Sequence, residues 1–215
     1  MTPPRPARWR AALGHFLAIT PSPAMSQPDT PARDPHVVPS VSEATIHAAI
    51  RQQDRLQDIA DLGLASADTD EILQEICTQA AQALALPIGL VTVVLDEAQY
   101  FAARYGLDGW MEAARGTPVE WAYCRFSVAT GEAFVVQDAT THPLVQDNPL
   151  FTADGLRCYA GIPLISSRGF ALGSLCVAGT EAREFSPADL DQLRGFAAAA
   201  IARIESRRRS GTGPQ

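Results

Sequence analysis

Lysine is missing from this chain, and all 17 of its basic residues are arginines. Acidic residues number 24, so the formal net charge is −7 at pH 7. Beyond residue 40 the balance is more acidic still, with 22 Asp and Glu against 13 Arg, or −9. A surface of this sign repels phosphate backbones. The composition therefore argues against nucleic acid as a general partner.

Long apolar runs are also missing, and because a membrane span needs roughly 20 consecutive apolar residues, none is predicted. Residues 1–40 carry nine of the 16 prolines without any hydrophobic period, which is typical of a disordered segment. Arg5, Arg8 and Arg10 precede the apolar stretch AALGHFLAIT. That stretch is too short, and too poor in cleavage signals, for an exported protein. We therefore predict a cytoplasmic protein whose true first residue is Met25.

The four cysteines, at positions 77, 124, 158 and 176, form no CxxC pair and no metal-ligand spacing. Without an export signal, they are predicted to be free thiols in a reducing compartment. A glycine-rich phosphate loop and a GxSxG nucleophile elbow are missing as well. The sequence accordingly predicts no metal site, and it gives no sign of nucleotide-dependent chemistry or serine hydrolysis.

The most informative stretch that is present is RCYAGIPLISSRGFALGSLCV. Two apolar runs flank the polar SSRG, which is the composition of a hairpin between two buried strands. Gly161 and Gly173 interrupt these strands, so each marks a bulge or a close approach of another element or a ligand. A loop of even length would place Tyr159 opposite Cys176, with Cys158 on the other surface. A loop of odd length would place Cys158 opposite Cys176 instead.

YAGIPL and LGSLCV, preceded by WAYCRFSVATGEAFVVQDATTHPLVQDNPLF, strongly resemble the GAF domain family of small-molecule sensors. The resemblance runs from about Ile50 to about Arg203 and implies a stand-alone bacterial GAF domain of the α+β class. It implies a central antiparallel sheet of about five or six strands, with terminal helices on one face and pocket-forming loops and short helices on the other. The predicted domain covers residues 41–205, between the segment 1–40 and a flexible tail, 206–215.

Capping signatures predict the helices that flank the sheet. Ser40 opens a helix that is predicted to continue to about Leu62, with Glu43 as its capping-box partner. Asp68 opens a second helix, with Ile72 on its apolar stripe. These elements supply the predicted helical layer.

Two loops are candidates for covering a pocket. Residues 106–116 contain Trp110 and Met111, which would form either a lid or ordinary cover on the sheet edge, and cover is favoured. Residues 138–155 form a loop longer than most connections in compact domains, and such loops are usually functional or flexible.

Cys124 is predicted at the start of a short helix, where backbone amides and Arg125 would lower its pKa and create a redox or covalent-attachment site. A buried packing role is favoured, because that is what unpaired cysteines usually have. Tetrapyrrole-binding relatives usually place histidine after the attachment cysteine, so Arg125 argues against a bilin. A catalytic pair of Cys124 and His142 is also disfavoured, since the family more often has an acidic residue at the latter position.

Arg157 and Tyr159 share one face of a strand and would offer a cation and a hydrogen-bonding ring to a small anionic or aromatic ligand. In the alternative, Arg157 pairs with a loop carboxylate. Asp138 and Asn148 lie in a turn-rich segment, and a turn role is favoured for them. The predicted ligand-binding residues are Cys124, Arg125, Asp138, Asn148, Arg157 and Tyr159.

The resemblance implies a regulatory domain rather than an enzyme. A small ligand of unknown identity would order residues 138–155 and shift the first and last helices, which the family commonly uses for homodimerisation. The signal would then pass through the dimer or through a partner such as a histidine kinase. The NKxDE-type signature of cyclic-nucleotide-binding members is absent.

Two alternatives stay open. One is a thiol reductase that acts on peroxide or free methionine sulfoxide through Cys124, with Cys158 or Cys176 as the resolving thiol. The other is a ligand-free dimerisation scaffold with a filled pocket.

Overall fold

Six antiparallel strands form one sheet in the order β3-β2-β1-β6-β5-β4. The computed structural model describes residues 41–64 and 70–210, with the backbone alone for 208–210. The predicted disorder of 1–40 and the predicted start at Met25 lie outside the described residues. The strands are β1 (Ile88–Val94), β2 (Ala98–Tyr105), β3 (Gly116–Pro118), β4 (Phe134–Val136), β5 (Cys158–Ile165) and β6 (Ala171–Gly179).

Helices cover both faces of this sheet, and the predicted α+β class is confirmed. The last helix continues to Ser210, five residues beyond the predicted end of the domain. The helices are α1 (Glu43–Ile50), α2 (Gln53–Asp61), α3 (Glu71–Ala83), α4 (Gly109–Ala114), α5 (Cys124–Thr130), α6 (Pro149–Thr152) and α7 (Pro187–Ser210).

Strand alternation divides the buried side chains into two cores. Leu175 and Val177 on β6 pack with α2, α3 and α7 on one face. Cys176 and Ala178, the alternate residues of the same strand, pack with α1 and α5 on the other face. The predicted layering therefore holds, except that α1 lies on the loop-covered face.

The predicted single helix from Ser40 to Leu62 is wrong, because the chain breaks between α1 and α2. The N-cap of α1 is Ser42, whose side chain accepts a hydrogen bond from the Thr45 N–H. In a continuous helix, the carbonyls of Ala49 and Ile50 would accept bonds from the amides four residues later. Here they accept from the guanidinium of Arg55 instead.

Arg55 lies almost wholly inside the protein, at 2% exposure. Its Nη1 also donates to the carbonyl of Val94 at 2.8 Å, and more weakly to those of Ala171 and Leu172 at 3.4 and 3.5 Å. Burial lowers the pKa of Arg55 to about 10, so the side chain is charged at neutral pH. One buried cation thus joins the end of α1, the end of β1 and the start of β6.

Helix α3 also begins later than predicted. Asp70 is its N-cap and accepts hydrogen bonds from the N–H groups of Ile72 and Leu73, whereas Asp68 lies outside the described residues. Ile72 is 49% exposed, so its predicted place on the apolar stripe is wrong. Ile72 lies just outside the buried stripe of α3, which consists of Leu73, Cys77, Ala80 and Ala81.

The central hairpin resolves the alternatives for the thiols. Its loop places Ile165 opposite Ala171, an odd connection, but a bulge follows and Gly161 then faces Cys176. The bulge adds one residue to one strand, so beyond it the side chains of β5 and β6 share faces as they would after a loop of even length. Tyr159 and Cys176 consequently share the face that carries α5, and Cys158 lies on the opposite face.

Both strand glycines make room for close contacts, but only Gly173 is approached by another element as predicted, since the contact at Gly161 comes from its own strand. A Cβ at Gly161 would collide with the ring of Tyr159, two residues back on the same face of β5. A Cβ at Gly173 would collide with the carbonyl oxygen of Thr92 on β1. The first glycine therefore gives the Tyr159 ring its position, which matters for the site described next.

Candidate functional site

A cavity of about 60 Å³ lies on the α5 face of the sheet. It is much smaller than the roughly 300 Å³ or more of a typical ligand pocket. Its wall is mainly apolar, with a few polar groups from the strands and from α5. The lining residues are Ile88, Leu90, Gln99, Phe101, Leu107, Met111, Thr117, Tyr123, Cys124, Leu150, Asp154, Leu156, Tyr159, Cys176, Ala178 and Thr180.

Helix α4 covers one side of this cavity. Met111 lines it, and the neighbouring Trp110 donates from Nε1 to Oδ1 of Asp154 at 2.8 Å. Trp110 also packs edge-on against Trp121, with ring centroids 5.9 Å apart. Although cover on the sheet edge was the favoured prediction, the structure places this segment over the cavity, where a single exposed hydrogen bond joins it to the loop before β5.

Two thiols and a phenol meet in the cavity wall. The Sγ of Cys124, the first residue of α5, lies 3.1 Å from the Tyr159 hydroxyl and 3.9 Å from the Sγ of Cys176. The Tyr159 hydroxyl lies 3.3 Å from Oγ of Ser174. The sheet register places Tyr159 and Cys176 on one face, and α5, which packs on that face, brings Cys124 to them.

The environment of the two thiols makes them chemically unequal. Burial raises the pKa of Cys124, but hydrogen bonds from Cys176, Ser174 and neighbouring hydroxyls outweigh burial and lower the pKa to about 7. The hydrogen bond to Cys124, together with burial, raises the pKa of Cys176 well above its ordinary value. Loss of a proton from this pair is therefore easiest at Cys124.

Two of the six predicted ligand-binding residues, Cys124 and Tyr159, line the cavity, and two others, Arg125 and Asn148, line a separate, more open surface pocket. Arg125 points to α1, where its Nη1 lies 2.6 Å from Oε2 of Glu43. Asn148 caps α6 by accepting from the Leu150 N–H, and it donates from Nδ2 to the Trp121 carbonyl.

The other two predicted residues, Asp138 and Arg157, bond to each other through two N–H···O contacts of 3.0 and 2.8 Å. The hydrogen bond from Arg157 holds the pKa of Asp138 well below its ordinary value. Of the two alternatives for Arg157, the structure therefore contains the pairing with a loop carboxylate.

His142 is not hydrogen-bonded to Cys124 in the described part of the chain. Its Nδ1 accepts from the Leu144 N–H at 3.4 Å, and its ring packs edge-on against Phe134. Burial lowers the pKa of this imidazole. These contacts give His142 a loop-stabilising role, in line with the interpretation favoured from the sequence.

Sequence reasoning missed three polar residues of the cavity wall: Gln99, Thr117 and Tyr123. Each is at most 5% exposed. Among the residues that the structure describes, none is a hydrogen-bond partner of the Gln99 Oε1, the Thr117 Oγ1 or the Tyr123 hydroxyl. The alternation of β2 offered a signal, since it places Gln99 on the same buried face as Phe101.

Metal sites and membrane spans were also sought within the described ranges. No group of three or more His, Cys, Asp or Glu side chains there is arranged to hold a metal ion. None of the helices in those ranges has both the length and the apolar character needed to cross a membrane.

The order of the strands, the helices on both faces of the sheet and the loop-covered cavity together describe an α+β domain. A GAF domain sequence model matches residues 66–205. The chain therefore belongs to the GAF domain family, and the resemblance seen in the sequence is confirmed.

A similar segment occurs within a longer protein of known name. A cyclic di-GMP phosphodiesterase of Pseudomonas aeruginosa is 35% identical over 152 residues, which are 70% of this chain and 25% of that protein. The chain thus spans about a quarter of the length of this relative. A regulatory role is supported for the domain.

Solved structures confirm the fold. The GAF domain of a phosphoenolpyruvate-protein phosphotransferase from Coxiella burnetii matches with a TM-score of 0.56 at 18% identity, over 80% of this chain and 100% of that one. A free methionine-R-sulfoxide reductase from Neisseria meningitidis, solved with its substrate, matches with a TM-score of 0.53 at 19% identity, over 80% of this chain and 96% of that one. At such identities the likeness concerns the fold alone.

Proposed function

We propose that this chain is a small-molecule-binding regulatory GAF domain that acts through dimerisation or through a partner protein. The observation that carries the proposal is the cavity on the α5 face, a mainly apolar space with a few polar groups in its wall. Such a combination is what small-molecule sites use for affinity and orientation. The small volume corresponds to a closed state, and displacement of α4 would enlarge it.

A route from the cavity to the first helix supports a regulatory role. Tyr123 and Cys124 contribute to the wall, and the next residue, Arg125, forms an ion pair with Glu43 of α1. A ligand that moved the start of α5 would therefore act directly on α1. This is a physical contact between the site and a candidate output element, which a regulatory coupling needs.

The proposed dimer would use the outer surface of α7. Gly195, Ala198 and Ala199 are exposed there and would let a second helix approach closely. Sedimentation equilibrium at micromolar concentration tests this step. A chain that stayed monomeric and captured no signalling protein would leave the proposed mechanism without an output.

Native mass spectrometry of protein purified without added ligand tests ligand binding. We expect a small molecule in the native mass that is lost on denaturation. We also expect it to be absent from an Ala178→Leu variant, because Ala178 lines the cavity and a leucine there would fill the space. Circular dichroism provides the control that this variant folds. Equal native and denatured masses for the wild-type chain would count against the proposal.

The Cys124–Cys176 pair favours a second candidate, a thiol reductase. A peroxide would oxidise the Cys124 thiolate to a sulfenic acid and leave as an alcohol or water. The Cys176 thiol would then attack that sulfur, expel the hydroxyl group as water and form a disulfide. The 3.9 Å separation of the sulfurs makes this second step accessible, whereas Cys158, the other candidate resolving thiol, lies on the opposite face.

Brief peroxide treatment followed by intact mass analysis checks this chemistry. We expect the wild-type protein to lose the mass of two hydrogens, and Cys124→Ser and Cys176→Ser variants not to do so. Cys77→Ser and Cys158→Ser serve as controls that still form the disulfide, because burial raises the pKa of both of these thiols. Oxidation without a disulfide, or an unchanged mass, would eliminate the reductase candidate.

A further inference from the structure

Three buried polar atoms point to the chemistry of the ligand. Gln99 Oε1, Thr117 Oγ1 and the Tyr123 hydroxyl belong to residues that line the cavity, yet they have no hydrogen-bond partner within residues 41–64 and 70–207, whose side chains the structure describes. We propose that the cavity takes an uncharged, largely apolar small molecule that carries a hydrogen-bond donor for Gln99. This inference rests on the proposed function and specifies its ligand class.

Unpaired polar atoms in a buried wall are costly, so a structural role alone does not account for them. A buried acceptor or hydroxyl that loses water without gaining a partner destabilises the folded state. Apolar residues of similar size would avoid that cost at positions 99, 117 and 123. Gln99 and Thr117 are also directly opposite each other on β2 and β3, so their side chains are neighbours in the wall of the cavity.

The donor and acceptor types set the polarity of the ligand. The free atom of Gln99 is an amide oxygen, which only accepts hydrogen bonds. The hydroxyls of Thr117 and Tyr123 either donate or accept. A ligand must therefore present at least one N–H or O–H group to Gln99, and it has two adaptable partners for a further polar atom.

The charges around the cavity exclude an anion. No arginine or histidine of the described chain lines it, since Arg125 pairs with Glu43 and Arg157 pairs with Asp138. The acid in the wall, Asp154, would repel a carboxylate or phosphate. An anion in this space would lose its hydration and gain no opposite charge. The small anionic ligand expected from Arg157 is therefore replaced by an uncharged one.

The size of the space limits the ligand to few atoms. The 60 Å³ corresponds to about four water-sized positions. A cavity that holds one benzene ring measures about 150 Å³, more than twice this volume, so α4 would have to move outward at Met111 to admit a ring. The exposed Trp110–Asp154 hydrogen bond is the contact that such a movement would break.

Three ring compounds of similar size test the proposed class on the full chain: phenol, toluene and benzoate. Binding is followed by ligand-observed NMR at millimolar concentrations. We expect phenol to bind at least about fivefold more tightly than toluene, the preference that one hydrogen bond gives, and benzoate not to bind. Ala178→Leu should abolish phenol binding by filling the cavity.

Gln99→Met tests the proposed partner of the donor. This variant keeps the side-chain volume and removes the acceptor oxygen. We expect it to weaken phenol binding to the toluene level while leaving toluene binding unchanged. Thr117→Val, which removes one hydroxyl at constant shape, provides a second variant in case Gln99→Met does not fold.

A matched pair of tyrosine variants examines the free protein. Tyr123→Phe removes an unpaired hydroxyl, so we expect an unchanged or raised melting temperature. Tyr159→Phe removes a hydroxyl bonded to Cys124 and Ser174, so we expect a fall of several degrees. A comparable fall in both variants would show that the Tyr123 hydroxyl already has a partner in the free protein and would overturn the argument from unpaired atoms.

The outcomes of these binding experiments test the ligand class separately from the proposed function. Benzoate binding that Ala178→Leu abolishes would overturn the uncharged class but leave a ligand-binding domain. Failure of phenol to bind, or a phenol preference that survives Gln99→Met, would also overturn the class. The proposed function is tested independently by the native mass of the protein as purified.

Discussion

Replacing Arg55 with methionine should lower the free energy of unfolding by about 3–5 kcal/mol, because each buried carbonyl that loses its hydrogen-bond donor costs about 1–3 kcal/mol. The substitution keeps much of the volume but leaves the carbonyls of Ile50 and Val94 without their donor. Part of this loss is offset because the variant no longer buries a cation. Burial of the charged guanidinium is unfavourable, as the lowered pKa of Arg55, about 10, indicates. We expect the two unsatisfied carbonyls to outweigh that relief, because the methionine side chain cannot donate a hydrogen bond to either of them.

Chemical denaturation followed by circular dichroism measures this effect. For a domain of this size, the melting temperature should fall by about 10 °C. Arg51→Met is the matched control, since Arg51 is exposed and its loss should change stability by about 0.5 kcal/mol or less. If the Arg55→Met variant were as stable as the wild type, packing alone would be sufficient to keep α1 and α2 as separate helices.

Replacing Asp70 with alanine should cost about 2–4 kcal/mol, because one carboxylate serves two purposes. It caps α3, and it also accepts hydrogen bonds from Arg203 and Arg207 of α7 at 2.6–3.2 Å. Asp70→Asn retains a good N-cap and loses the charge, so we expect about half of that cost. Asp191→Asn, at an exposed ion pair on α7, is the control with little effect.

The same carboxylate makes stability depend on pH. Burial raises the pKa of Asp70, but hydrogen bonds from the Leu73 N–H, Arg207 and Arg203 outweigh it and bring the net pKa below 3.8. The unfolded chain therefore takes up a proton more readily, and this contribution is present above about pH 4 and lost as pH falls through the folded pKa. Denaturation curves from pH 7 to pH 3 should show a smaller acid loss for Asp70→Asn than for the wild type. Equal losses would contradict this assignment.

Much of the fold was predictable because local patterns and tertiary structure agree. Ser186 and Asp189 form the reciprocal cap expected before α7, and Gly131 ends α5 in the left-handed conformation. The break before α2 was not predictable, because Arg55 looks like one more polar residue on a helix surface. Its burial depends on carbonyls of β1 and β6, which are distant in sequence.

The site was predictable only in part, for similar reasons. Cys124 and Tyr159 were found because the family motifs include them, and both line the cavity. Arg125 and Arg157 were expected there because they are cations near the motifs. Their side chains instead form ion pairs outside the cavity, Arg125 with Glu43 and Arg157 with Asp138. The sequence around an arginine does not show which carboxylate the folded chain brings within its reach.

The two indoles beside the cavity give the protein an optical reporter of its own. Trp110, which is 42% exposed, lies on α4, whereas the Trp121 ring that it meets belongs to the segment before α5. An outward movement of α4 would part these rings and release the Trp110 Nε1 from Asp154. Both events alter the surroundings of a fluorophore, so tryptophan emission would register the opening of the cavity in unlabelled protein and give its rate by rapid mixing.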